Sequence, residues 1–151
     1  MNYKQLLPEF MFPVLDEIIN RGEPISPNLT PIYRATKKKY TLGVNDFKCQ
    51  IEEDRGKTFD AGEFACSVNF DEDGKNNLAS KLESIKGLRK NNPFVARGFL
   101  RSNSGLIEID GDNHVNWWIF KNEKSSIPND FQHYLDVKSF IEEKEVNNEY
   151  K

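Results

Sequence analysis

Cysteine and histidine are scarce in this chain, with two of each among 151 residues. Cys49 and Cys66 show no spacing typical of a disulfide framework, so we expect two reduced thiols. Two histidines and two cysteines scattered along the chain do not form the ligand pattern of a structural zinc site, and we predict no metal. The shortage of these residues therefore argues against folds stapled by disulfides or by zinc.

Long apolar runs are also missing. No stretch approaches the roughly 20 apolar residues that a transmembrane helix needs. The opening segment, MNYKQLLPEFMFPVLDEI, contains Lys4, Pro8, Glu9 and Pro13 and lacks the apolar core of a signal peptide. We therefore expect a cytoplasmic protein that has no membrane partner.

Neither sign of charge is in large excess. The formal net charge is −3, with 30% charged residues and a pI near 5.5. A general nucleic-acid binder usually has a basic stripe and a pI above about 9, so we do not expect general nucleic-acid binding. The acidic excess is also too small for a DNA mimic. The one basic run, residues 37–39, is followed by acidic residues at 52–54, which favours a solvated loop.

The length and the aromatic content indicate a single globular domain over residues 1–151. A chain of this size buries roughly 68–70% of its unfolded surface. Eleven Phe, five Tyr and two Trp can supply a core, although only 37% of the residues are hydrophobic.

Apolar periodicity predicts an α+β fold. Helical spacing predicts three helices, over residues 10–19 and 78–88 and around 137–141. Alternating or short apolar runs predict strands over residues 32–36, 63–70, 94–101, 106–110 and 114–120. Short turns separate the last three strands, which predicts a C-terminal three-stranded antiparallel meander. We expect the helices to pack on one side of an antiparallel sheet, with residues 41–62 as a long loop or flap.

The run HVNWWIF at the end of this meander holds both tryptophans of the chain. In a strand, Val115, Trp117 and Ile119 share one face and form a plausible core set. The other face carries His114, Asn116, Trp118 and Phe120, where an aromatic ring beside a histidine and an amide can line a ligand site. The alternative is that a helix covers this face and that His114 is a hydrogen-bonded boundary residue.

Two further segments carry polar groups with chemical potential. Glu108 and Asp110 project to one side of their strand, so one carboxyl tends to have a raised pKa unless a cation or solvent intervenes. Such a pair can act as an acid and base or bind a ribose. The alternative is that the two carboxylates lie on a solvated edge face of the sheet. Arg34 lies in an apolar-flanked strand and is suited to bidentate capture of a phosphate or a carboxylate. It could also pair structurally with Glu108 or Asp110.

In chain order, Arg34, Ser67 and the Glu108/Asp110 pair resemble the arginine, serine and paired-acid strands of the ADP-ribosyltransferases. The resemblance implies that Arg34 and Ser67 help to hold NAD and that the second acid, Asp110, is catalytic. The serine segment here is Cys66-Ser67-Val68, and Asp110 is one methylene shorter than the family's glutamate. What the resemblance implies is a remote NAD-cleft scaffold, active or decayed.

Two function classes follow from these residues. The first is a small binding protein without catalysis, such as an immunity or antitoxin-type protein or a phage accessory factor. Its protein partner is unidentified, and no cofactor is needed. Trp117 or Trp118 with Tyr134 would be the interface anchors, because interfaces concentrate Trp, Tyr and Arg at their hot spots.

The second class is a nucleotide-handling enzyme or sensor, with NAD as its cofactor. Its candidate residues are Glu108, Asp110 and His114 for catalysis, and Arg34, Ser67, Asn116 and Trp118 for the ligand. No nucleophile elbow surrounds Ser67 or Ser104, so the sequence gives no basis for pairing either serine with His114. The two classes differ in geometry, because the nucleotide site requires one cleft and the binding protein requires a flat patch.

Overall fold

The computed structural model describes the backbone of residues 2–149 and the side chains of residues 2–144. The α-helices are α1 (Tyr3–Leu6), α2 (Leu15–Arg21), α3 (Asp71–Ser84), α4 (Lys86–Asn91) and α5 (Val137–Glu149). Short 3-10 helices cover Glu9–Val14, Val44–Phe47, Ala61–Phe64 and Lys124–Asp130. The strands are β1 (Glu23–Pro24), β2 (Leu29–Thr36), β3 (Cys66–Phe70), β4 (Phe94–Leu100), β5 (Gly105–Ile109), β6 (His114–Ile119) and β7 (Phe131–Asp136).

All seven strands form one sheet in the order β1-β5-β6-β3-β2-β4-β7, and every neighbouring pair is antiparallel. The predicted α+β class is confirmed. The predicted three-stranded meander is wrong, because β5 and β6 form a hairpin while β4 lies between β2 and β7. The link after β4 does not fold back, since Ser102 donates from its amide to Asn28 Oδ1 and from its hydroxyl to the Ile25 carbonyl. These bonds direct the chain toward the opposite edge of the sheet, where β5 pairs with β1.

The sheet curves around its main core. The four residues of the link 101–104 join β4 to β5, although β6, β3 and β2 lie between those strands in the sheet. In a flat sheet, four strand spacings of about 4.8 Å would exceed what such a link spans. Side chains from both halves accordingly meet in one cluster, with Ile107 and Trp117 from one half and Ala96 and Phe131 from the other.

The α-helices pack on the opposite face of the sheet, as the sequence predicts. Residues directly opposite in paired strands share a face, and Tyr33, Asn69 and His114 are aligned in this way across β2, β3 and β6. Trp118 lies on the same face and is covered by residues 3–21, called here the N-terminal helical group. Helices α3 and α5 cover the part of the face around β2 and β4. No helix within residues 2–149 is long and apolar enough to cross a membrane.

A buried lysine joins α3 to α5. The Lys75 ammonium forms an ion pair with Glu143, whose carboxylate also accepts a hydrogen bond from the Tyr134 hydroxyl at 2.7 Å. Lys75 is only 8% exposed and lies over the rings of Tyr33 and Tyr134. Burial disfavours the charged carboxylate, but the hydrogen bonds from Lys75 and Tyr134 outweigh it and hold the pKa of Glu143 below its ordinary value.

We expect the substitution Glu143→Gln to lower the free energy of unfolding by about 1–2 kcal/mol at pH 7, because it leaves a mostly buried ammonium without its carboxylate. The depressed pKa means that this stabilisation is complete above the unfolded glutamate pKa of about 4.3. The stabilisation is lost as the pH falls through the pKa of Glu143 in the folded protein. The free energies of unfolding of wild type and variant should therefore converge in acid. Urea denaturation at several pH values measures the difference, with the exposed Glu142→Gln as the matched control. Equal effects of the two substitutions would contradict the assignment.

Candidate functional site

A cleft of about 200 Å³ opens on the helix-bearing face of the sheet, beside helix α3. It lies where β2 and β3 diverge, because these strands pair only at Ile32 with Phe70 and at Tyr33 with Asn69. Side chains of the segment 48–55 and of α3 and α4 form its walls. The segment 41–62, whose residues are all described, contains no strand and contributes one side of this cleft.

Four polar side chains on β3 and β6, called here the polar floor, line the bottom of the cleft: Ser67, Asn69, His114 and Asn116. Register places Ser67 opposite Asn116 and Asn69 opposite His114, so all four side chains share one face. Three of them were predicted to bind a ligand or to act in catalysis, and the structure brings these three together. Asn69 was not among the candidates, although strand alternation places it on the face of Ser67.

Ser67 and His114 are in direct hydrogen-bond contact. The Ser67 Oγ lies 2.5 Å from His114 Nε2, and on the other side of the ring Nδ1 lies 3.8 Å from Asp110 Oδ2. In the neutral tautomer that carries its proton on Nδ1, the nitrogen nearer Asp110, His114 Nε2 accepts from the serine hydroxyl. No local pattern predicts this pair, because 47 residues separate its members in the chain.

The charge state of His114 follows from its surroundings. Burial disfavours the imidazolium and Lys81 repels it, and together they hold the pKa of His114 below its ordinary value despite Asp110 and Glu108. The ring is therefore neutral at pH 7, with Nε2 available as a proton acceptor.

Arg34 lies at the divergence of the two strands and binds three backbone carbonyls. Its Nη1 donates to the Ser67 carbonyl oxygen at 2.7 Å. Its Nε and Nη2 donate to the carbonyl oxygens of Asp46 and Lys48, at 3.0 Å each. The suggested pairing with Glu108 or Asp110 is absent, because all three contacts go to main-chain oxygens. Arg34 thus ties the segment 46–48 to β3 and also lines the cleft.

Positive charge dominates the walls of the cleft. Arg34, Lys48, Arg55 and Lys81 line it, against a single carboxylate from Glu53. That carboxylate is already paired with Lys37 at 2.6 Å and with Arg55 at 3.0 Å. Among the side chains that the structure describes, neither Lys48 nor Lys81 forms an ion pair. The cleft therefore favours an anion.

Asn69 adds a hydrogen-bonding group that the protein does not use. The residue is 3% exposed and lines the cleft, and its Oδ1 has no hydrogen-bond partner among the described residues. Buried polar atoms are nearly always paired, because an unmade hydrogen bond costs about 1–3 kcal/mol. The amide oxygen is thus suited to accept a hydrogen bond from a ligand hydroxyl.

Glu108, a predicted catalytic acid, is instead held by an arginine outside the cleft. Arg21 donates to it through Nη2 at 2.6 Å and Nε at 3.0 Å, and Asn116 Nδ2 donates at 3.1 Å. The hydrogen bonds from Arg21 lower the pKa of Glu108. Arg21 is therefore the cation that prevents the raised pKa expected for two neighbouring carboxylates. Asp110 also lies outside the cleft lining, and its Oδ1 accepts from the amides of Asp112 and His114.

Both tryptophans belong to the core, which corrects their predicted roles. Trp117 is 1% exposed in the main cluster, so it is not an interface anchor. Trp118 is fully buried beneath the N-terminal helical group, and its Nε1 donates to the Ala61 carbonyl at 2.8 Å, so it does not stack on a ligand in the cleft. Tyr134 is part of the Lys75 cluster, with its ring under Arg97. A flat aromatic patch built from these three residues is therefore absent.

Lys48 and Lys81 are functional candidates that sequence reasoning missed. Lys81 lies one turn from Leu78 on α3, and both residues line the cleft, so the helix presents an ammonium beside its apolar stripe. Lys48 comes from a segment with no periodicity, and only its attachment to Arg34 through the backbone places it here.

Comparisons with protein-family models, with curated proteins and with solved structures find no match for this chain, so its function has to be inferred from the cleft itself.

Proposed function

We propose that the cleft binds a small phosphate-bearing ligand of the nucleotide class, such as ADP-ribose or NAD. The observation that carries this proposal is the combination of four cationic side chains on the walls with an uncharged polar floor. Lysine and arginine bind phosphate, while amide and hydroxyl groups suit the hydroxyls of a ribose. Lys48 and Lys81 would hold the phosphate, and Asn69 would accept from a sugar hydroxyl.

The size of the cleft fits one part of such a ligand. Its volume of about 200 Å³ is below the roughly 300–1,000 Å³ of common ligand pockets, which is enough for a sugar phosphate but not for a whole dinucleotide. A second depression continues from it and shares Glu53, Arg55, Leu88 and Asn92 with it. That depression also contains Ile85, which is 50% exposed and offers an apolar surface for a base.

The resemblance to ADP-ribosyltransferases gives this proposal a second, weaker support. Arg34 and Ser67, which the resemblance assigns to NAD, lie side by side at the cleft. The catalytic acid that it assigns does not face the ligand, because Glu108 is bound by Arg21 and Asp110 lies behind His114. We therefore propose ligand binding and do not extend the proposal to ADP-ribosyl transfer.

A thermal-shift titration tests the proposal, using NAD, ADP-ribose, ADP and inorganic phosphate. A ligand at one hundred times its dissociation constant stabilises by about 2.7 kcal/mol, which raises the Tm of a domain this size by roughly 5–11 °C. We expect Lys81→Gln to weaken binding about tenfold, because it removes one cation from the phosphate site. The matched control is Lys121→Gln, since Lys121 is an exposed lysine that does not line the cleft.

Two results would contradict the proposal. One is the absence of a shift with all four compounds, which would restore the protein-partner hypothesis as the better explanation. The other is an equal loss of binding in Lys81→Gln and Lys121→Gln, which would indicate nonspecific attraction of anions to the surface.

A further inference from the structure

We propose that Ser67 is a nucleophile activated by His114, and that the protein cleaves carboxylic esters and acyl phosphates whose leaving group carries a phosphate. The substrate class rests on the proposed function, because the cationic walls would hold that leaving group. The nucleophile itself rests on separate observations, which are the geometry of Ser67, His114 and Asp110.

The three side chains stand in the order that nucleophilic catalysis requires. A serine hydroxyl is a weak nucleophile until a base accepts its proton, and the base works best when a third group orients it. Ser67 Oγ and His114 Nε2 are 2.5 Å apart, which places the hydroxyl in direct hydrogen-bond contact with the base, at a distance slightly shorter than the usual range of about 2.6–3.2 Å. Asp110 Oδ2 faces the other ring nitrogen at 3.8 Å, a distance that allows orientation without a tight bond.

The backbone fixes these groups in place. Ser67 lies on β3 between the buried Cys66 and Val68, opposite Asn116 of β6. Its side chain is nevertheless exposed in the cleft, where a ligand can reach it. The turn before β6 locks Asp110 to His114, because the His114 amide donates to Asp110 Oδ1 at 3.0 Å and the Asp110 amide donates to the His114 carbonyl at 3.0 Å.

The surroundings of His114 suit a general base. Burial and Lys81 of α3 keep the pKa of His114 low, while Asp110 of the turn and Glu108 of β5 oppose them. The ring is therefore neutral at pH 7 and can accept the serine proton. Two cations of the cleft, Arg34 and Lys81, would stabilise negative charge that develops on a substrate. Arg34 is bonded to the Ser67 carbonyl, and Lys81 lines the same cleft.

The reaction balances with water as the only co-reactant. Ser67 Oγ bonds to the acyl carbon and its proton passes to His114 Nε2. The bond from the acyl carbon to the leaving oxygen then breaks, and the proton on His114 passes to that oxygen or, when a phosphate leaves as its anion, to solvent, so that the ring is neutral again. Water next attacks the acyl-serine, with His114 again as base, and releases the carboxylic acid and the free hydroxyl of Ser67.

Two measurements on the full-length chain test the proposal. A fluorophosphonate probe, from which Ser67 Oγ would displace fluoride, should give an adduct that peptide mass spectrometry places on Ser67. Hydrolysis of acetyl phosphate, a small anionic acyl donor that fits the cleft, should be faster with the protein than without it. We expect Ser67→Ala and His114→Gln each to lower both rates at least a hundredfold. Asp110→Asn should lower the rate of hydrolysis about tenfold and change its pH profile.

The chain offers matched controls for each substitution. His133, the other histidine, does not line the cleft, so His133→Gln should leave both rates unchanged, as should Ser125→Ala at an exposed serine. Circular dichroism of each variant separates loss of the nucleophile from loss of the fold. Should Ser67→Ala fail to fold, labelling of Ser67 in the wild type decides alone.

The outcomes separate this inference from the proposed function. A thermal shift with ADP-ribose but no adduct on Ser67 would overturn the nucleophile and leave ligand binding intact. An adduct on Ser67 without any shift from the phosphate compounds would support the nucleophile and overturn the nucleotide site. Labelling spread over several exposed serines in wild type and in Ser67→Ala alike would also overturn the nucleophile.

Discussion

Replacement of Trp118 by alanine is expected to lower the free energy of unfolding by about 4 kcal/mol, which corresponds to a fall in Tm of roughly 8–16 °C. The side chain is fully buried beside Leu7, Met11 and Phe120 beneath the N-terminal helical group. Truncation would remove its packing and leave a cavity that the surrounding helices fill only in part. It would also leave the Ala61 carbonyl without the donor that lies 2.8 Å away.

Urea denaturation of Trp118→Ala, Trp118→Phe and Tyr40→Ala separates the loss of ring packing from the loss of the indole hydrogen bond. Trp118→Phe keeps an aromatic ring but removes the indole donor, so we expect a loss of about 2 kcal/mol. Tyr40→Ala is the exposed aromatic control, since Tyr40 is 73% exposed and should change stability by less than about 0.5 kcal/mol. If Trp118→Ala kept its stability but lost ligand binding, Trp118 would belong to the cleft, as the sequence analysis predicted.

Replacement of Arg34 by alanine is expected to lower the free energy of unfolding by about 3 kcal/mol. The guanidinium donates to three carbonyls, and hydrogen bonds from charged donors contribute about 1.5–3 kcal/mol each. The loss should be smaller than their sum, because the carbonyls border the cleft and water can reach them once the side chain is gone. We expect the segment 46–48 to loosen first, since Arg34 bonds it to β3.

Hydrogen exchange of the amides near residues 46–48, together with urea denaturation, tests this role of Arg34. Arg34→Lys keeps the charge but cannot reach three diverging carbonyls, so it should recover only about a third of the loss. Arg55→Ala removes another cation of the cleft whose ion pair is exposed, and we expect less than about 0.5 kcal/mol from it. Equal stability of Arg34→Ala and Arg55→Ala would show that Arg34 is not a structural tie.

The expected instability of Arg34→Ala affects the choice of variants for ligand binding. A lower Tm of this variant mixes the loss of three structural hydrogen bonds with any loss of ligand contact. Lys81 is a better position, because among the described side chains it forms no ion pair and its substitution removes charge from the cleft alone.

The cleft supports the nucleotide hypothesis more strongly than the interface hypothesis. Of the three predicted interface anchors, Trp117 and Trp118 are in the core and Tyr134 is bound into a polar cluster. Of the candidates for the nucleotide site, Arg34, Ser67, His114 and Asn116 line the cleft, whereas Glu108, Asp110 and Trp118 do not. The protein-partner function stays a prediction.

Local sequence patterns predicted which segments form strands and which faces they bury. Alternation in β6 placed Val115, Trp117 and Ile119 in the core and grouped His114 with Asn116, and the structure agrees on both points. These predictions succeed because side-chain direction in a strand depends only on the parity of the position. Strand β7 was missed, since FQHYLD has no clear alternation of apolar and polar residues.

The sequence by itself determined the α+β class, most of the strands and the polar residues of β3 and β6. Only the tertiary structure decided which strands are neighbours, because pairing joins segments far apart in the chain and leaves no local pattern. The same reason explains the site. Glu108 is bound by Arg21 from 87 residues away, Ser67 meets His114 across 47 residues, and Trp118 is buried by helices from the other end of the chain. A residue's type determines what it can do, but the partners that folding brings to it decide what it does.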